Sequence, residues 1–109
     1  MIEFRRSGGI AGLNDRMIID SSGKVTISRK SGGDTFVLDR KDLEEILRQA
    51  EDAGFAKLET EYLPANRCCD LIEYDIVYKG REVRTMDTAV PLPLQPLLES
   101  LNKLVDRRR

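Results

Sequence analysis

The sequence predicts an α+β fold: an antiparallel sheet of four to five strands with two helices packed on one face, in the order β-β-β-(β)-α-β-β-α, forming one domain over residues 1–109. Three observations predict it. Apolar and polar residues alternate at residues 2–6 and 72–78, the period of two that gives a strand one apolar face. Residues 39–53 and 93–106 change to the 3.6-residue period of amphipathic helices. Glycine-bearing turns punctuate the strand-like segments.

Taken in order, Ile2 and Phe4 alternate with Glu3 and Arg5, which places the first strand at residues 2–6. Residues 7–12, Ser-Gly-Gly-Ile-Ala-Gly, hold regular structure poorly and read as a connecting loop. Leu13, Met17 and Ile19 share one parity of a second strand, with Asp15 as the exception on that parity. Gly23 supplies a turn, and Val25 and Ile27 complete a three-stranded meander. A second glycine pair, Gly32-Gly33, precedes a short fourth strand at residues 35–38, bracketed in the order above.

Asp39 is suited to cap a helix, and Leu38 before it can staple onto Leu43. Leu43, Ile46, Leu47 and Ala50 form the buried stripe of that helix, and Gly54 stands where a left-handed C-cap belongs. Residues 59–67, with Pro64, read as an irregular connection. Ile72, Tyr74, Ile76 and Tyr78 give the strongest strand signal; Lys79-Gly80 is a two-residue turn, and residues 82–87 return antiparallel. Pro96 is tolerated only in a first helical turn, so the last helix begins near Pro93 or Leu94. Its apolar face carries Leu94, Leu97, Leu98, Leu101, Leu104 and Val105. Ile46, Leu47, Leu97, Leu98 and Leu101 are expected in the core.

Composition narrows function. Eighteen basic residues against nineteen acidic ones give a net charge of −1 with the signs interleaved, which argues against a nucleic-acid partner. The chain has no histidine, which excludes a Ser-His-Asp triad, a Cys-His pair and a histidine zinc site. No cofactor or metal is expected, and a non-enzymatic role is favoured. The apolar runs are too short for a membrane span, and the N-terminus lacks a signal-peptide pattern. A cytoplasmic monomer is expected, with Cys68 and Cys69 as reduced, dispensable thiols. Neither glycine pair is part of a P-loop or dinucleotide motif. The acid pairs Glu44/Glu45 and Glu73/Asp75 read as solvated surface.

The loop between the first two strands asks for more. A two-residue turn would suffice, yet the chain uses about six residues, three of them glycine and one the apolar Ile10. Either Ile10 tucks over the sheet edge, or the loop presents Ile10 and Leu13, beside Arg5 and Arg6, to a partner's cleft.

Residues 2–12, Ile-Glu-Phe-Arg-Arg-Ser-Gly-Gly-Ile-Ala-Gly, resemble the emfourin-like family, as do Ala53-Gly54-Phe55-Ala56-Lys57-Leu58, Asp70 with the Tyr74 strand, Val90-Pro91 and Pro96-Leu97-Leu98. The most specific element is Arg6-Ser7-Gly8-Gly9-x-Ala11-Gly12; Gly54-Phe55-Ala56 departs from the family's Asp-Phe-Phe. The resemblance implies a protein inhibitor of protealysin and related thermolysin-like zinc metalloproteases. It also implies that partner binding falls to Arg5, Arg6, Ser7, Gly8, Gly9, Ile10, Ala11, Gly12 and Leu13. Such proteases favour bulky apolar side chains just after the scissile bond, so Ile10 or Leu13 would fill that pocket, with Arg5 and Arg6 as rim charges. A non-catalytic interaction module with an unrelated partner would use the same surface.

Overall fold

The computed structural model describes residues 1–9, 12–30, 32–65 and 71–106. The period-two alternation at the N-terminus becomes β1 (Ile2–Gly8), whose Ile2, Phe4 and Arg6 face inward and whose Glu3 and Arg5 face outward. β1 pairs along its whole length with β2 (Leu13–Ile19) on one side and β6 (Ile72–Tyr78) on the other, both antiparallel. β3 (Lys24–Arg29) and β4 (Gly32–Val37) extend the meander, and β7 (Arg81–Met86) forms a hairpin with β6. The type I′ turn of that hairpin is Lys79-Gly80, with φ of 51° and 77°.

Among the described residues the sheet has seven strands in the order β4-β3-β2-β1-β6-β7-β5, which corrects the expected four to five. It is also mixed. β5 (Glu61–Tyr62) lies parallel to β7 within the stretch read as an irregular connection. Two residues are too few to display alternation, and their pairing is with a distant strand, so no local pattern announces them. The bracketed fourth strand is a full one, because Gly32 and Gly33 enter the ladder opposite Arg29 and Ser28.

α1 (Arg40–Ala53) begins where Asp39 accepts the Asp42 amide at 2.8 Å and ends at Gly54, φ 67°, as expected. A short 3-10 turn (Leu92–Leu94) leads into α2 (Gln95–Asp106), which buries Leu97, Leu98, Leu101, Leu104 and Val105. Both helices cover the face that carries Phe4, Met17, Ile27, Ile76 and Val83, all at most 1% exposed. Leu47 is only half-buried at the margin of this core, where full burial was expected. Among the described residues no helix lies over the opposite face. There Glu3 accepts hydrogen bonds from Arg5 and Arg16, and Arg84 donates to Asp75 at 2.9 Å. Burial pushes the Glu3 carboxyl up, but the two guanidinium groups outweigh it and hold its pKa below the ordinary value.

Candidate functional site

The β1–β2 connection is tighter than six residues. Ser7 pairs with Asn14 and Glu73, and Gly8 with Leu13 and Ile72, so both belong to the ladder and only residues 9–12 separate the two strands. The Gly12 amide closes the turn on the Gly9 carbonyl at 3.1 Å. Ile10 and Ala11, between them, lie outside the described residues. Gly8 is dictated by a close approach: at φ 90°, a Cβ there would stand 3.0 Å from the Leu71 carbonyl, and the Gly9 amide donates to that same oxygen at 3.2 Å. Leu13 is half-buried, and Arg5 is exposed on the uncovered face.

Arg6 is not a rim charge. It is 5% exposed and points inward on the parity of Ile2 and Phe4. Its Nε donates to Asp15 Oδ2 at 2.7 Å, Nη1 to Asn102 Oδ1 at 3.1 Å and Nη2 to Asp106 Oδ1 at 2.6 Å. Burial works against the guanidinium charge, but the Asp106 and Asp15 carboxylates outweigh it and raise its pKa. Asp15 sits directly opposite Arg6 in the β1–β2 register, which explains its place among Leu13, Met17 and Ile19. Opposite charges on the inward parity of both hairpin strands were the available signal, readable only once the register is known.

The polar cluster continues from Asn102 to Tyr74 and Asp87. Burial, and then the neighbouring Asp87 carboxylate, push the Tyr74 hydroxyl up to about 12, with Asn102 and Arg6 acting in the opposite direction. The proton is therefore held more tightly in the folded chain. This contribution to stability is complete below the ordinary tyrosine range near pH 10 and is lost as pH rises through about 12. An ultraviolet tyrosinate titration of the folded protein is expected to show a component near pH 12 that disappears in Tyr74→Phe; its persistence there would assign it elsewhere.

The second glycine pair, at the β3–β4 turn, comes to the same end of the sheet as the first. Lys30 Nζ lies 3.5 Å from the position a Gly12 Cβ would take. The C-terminus of α2 is tied to this end as well, through Asp106 on Arg6 and through Arg29, whose Nη2 donates to the Val105 carbonyl at 2.7 Å. Met1 is at the opposite end, beside the Ile2, Ile19 and Tyr78 row. One end of the sheet thus gathers both glycine hairpins above a buried ion-pair cluster.

Other surfaces offer less chemistry. Glu44 and Glu45 are exposed on α1 and engaged by Arg40 and Arg48, and Glu73 and Asp75 face Arg84 on the uncovered face. A depression of about 450 Å³ lies along the β7 edge, lined by Thr60, Glu61, Arg81, Glu82 and Arg84, far from the hairpin end. Among the described residues, no three acidic or cysteine side chains converge on a metal-sized site. Cys68 and Cys69 lie outside those residues. Among the described residues no helix is long and apolar enough to cross a membrane. No family model matches the chain, and no curated protein matches it either.

Proposed function

We propose that this chain is a protein inhibitor of a thermolysin-like zinc metalloprotease, and that it occludes the active-site cleft with the hairpin tip at residues 8–13. The observation that carries the reading is the way this tip is mounted. β1 is flanked by a strand on both sides up to Gly8, and the Arg6–Asp15–Asp106 cluster lies directly beneath it. Strands held in this way lose little conformational freedom on docking, so more of the contact energy appears as affinity. Glycines at the tip permit close backbone approach, and the motif that carries the family resemblance divides between the two tasks. Arg6 anchors the strand, while Gly8, Gly9 and Gly12 shape the turn.

Arg5, exposed on the uncovered face, would act as a rim charge and alter association rate and its salt dependence. Ile10 would be the leading anchor and Leu13 the second. Truncating a central anchor typically costs about 2 kcal/mol or more, so Ile10→Ala is expected to raise the inhibition constant roughly thirtyfold while the unfolding midpoint stays in place. The experiment is an inhibition titration of thermolysin and of a protealysin-like enzyme with the parent chain, Ile10→Ala and Leu13→Ala. Failure of the parent to inhibit either enzyme would reject the protease reading and leave an interaction module with another partner. Inhibition unchanged in both folded variants would move the contact surface away from the tip.

A further inference from the structure

The two edges of the sheet are built differently. At one, β5 is two residues long, and the β7 strand beside it carries Arg81, Glu82 and Arg84, charges of the kind that discourage pairing with another chain. At the other edge, β4 is a six-residue strand, Gly32-Gly33-Asp34-Thr35-Phe36-Val37, with no lysine, proline or arginine; Gly32, at φ 129°, departs from strand geometry at its start. Among the described residues no strand lies beyond it. The Leu38 amide donates inward to the Gly23 carbonyl at 2.9 Å, so strand alternation turns the backbone groups of Gly33, Thr35 and Val37 away from β3. Val37 is 69% exposed. Asp34, the one charge on the strand, is half-buried, and its Oδ1 accepts the Thr35 amide at 2.9 Å.

We infer that β4 pairs with β4 of a second copy, antiparallel about a two-fold axis at Thr35, which joins two seven-stranded sheets into one. The inference does not depend on the protease reading. Strand complementarity selects the occupant. Centred on Thr35, the pairing sets Val37 of each copy against the bare Gly33 of the other and Asp34 against Phe36, so no like charges meet. A register shifted toward the turn would oppose Asp34 to Asp34. The outward amides and carbonyls of Gly33, Thr35 and Val37 all gain partners, and Thr35 exchanges its own Asp34 carboxylate for the facing carbonyl. A net charge of −1 leaves little repulsion between copies. The result is a dimer in place of the monomer that the sequence suggests.

Sedimentation equilibrium of the full chain, from micromolar to millimolar concentration, tests this with two variants. Thr35→Pro removes an outward amide without breaking a bond to β3, and Val37→Lys adds a charge to the exposed edge. The parent is expected to sediment as a dimer, and each variant to raise the dissociation constant at least about tenfold with its circular dichroism unchanged. If Thr35→Pro fails to fold, Val37→Lys decides. A parent that is monomeric throughout overturns the inference, including one whose Thr35 amide becomes protected from hydrogen exchange only when a protease is added. A dimer that Val37→Lys leaves intact overturns it as well.

Discussion

Arg6→Met is expected to destabilise the fold by about 3–5 kcal/mol at neutral pH, the cost of removing one partner from a buried ion pair. The guanidinium neutralises Asp15, itself 4% exposed, and ties β1 and β2 to α2 through Asn102 and Asp106. Methionine fills much of the same space but takes the Arg6 guanidinium away from the buried Asp15 carboxylate. Asp106, half-exposed, regains water and contributes less to the loss. The double variant Arg6→Met, Asp15→Leu removes both buried charges and is expected to recover most of the stability, since apolar replacement of a whole buried pair is often neutral. Denaturant unfolding of parent, single and double variants checks this. A single variant as stable as the parent would show that the cluster contributes nothing, and a double variant as weak as the single one would locate the damage in packing.

Leu101→Ala is expected to cost about 2–5 kcal/mol, because the side chain is fully buried where α2 meets the sheet and its loss opens a cavity that neighbours fill only in part. Leu92 supplies an internal control. It has the same side chain, sits only a few residues before α2, and is 78% exposed. Leu92→Ala should change stability by no more than about 0.5 kcal/mol. Equal unfolding midpoints for the two variants would mean that α2 does not bury the face described above.

Much of this architecture is legible without coordinates. Wherever one face of an element meets the core and the other meets solvent, the pattern is written along the chain: Ile72, Tyr74, Ile76 and Tyr78 in β6, or Leu97, Leu101 and Leu104 in α2. Local chemistry likewise marks the ends of α1, because Asp39 and Gly54 act on backbone groups a few residues away. What is hidden depends on distant partners. β5 exists because Thr60 and Glu61 reach β7, the Arg84 amide donating to the Thr60 carbonyl at 2.8 Å. Leu47 belongs to the apolar stripe of α1 but falls at its margin, a matter of how the helix is rotated on the sheet. In the candidate site, the glycines announce a special turn, whereas Arg6 next to Arg5 looks like a second surface cation. Its inward direction follows from parity, and its role follows from Asp15 and Asp106, residues that only the register and the placement of α2 bring to it.

The central position of β1 also orders the events by which the chain reaches its native state. The first four strands pair with sequence neighbours, so loop-closure costs are small and this meander can assemble as soon as it leaves the ribosome. The other side of β1, from Ile2 to Gly8, pairs only with residues 72–78. Until those residues are synthesised, the nascent chain carries an open strand edge in what will become the middle of its sheet, above a face still waiting for α2. Completing the sheet is therefore a non-local step, the kind that slows folding and exposes intermediates to self-association. α2 brings Asn102 and Asp106 to Arg6, so the charge buried at the base of the hairpin is fully satisfied only once those residues have been synthesised.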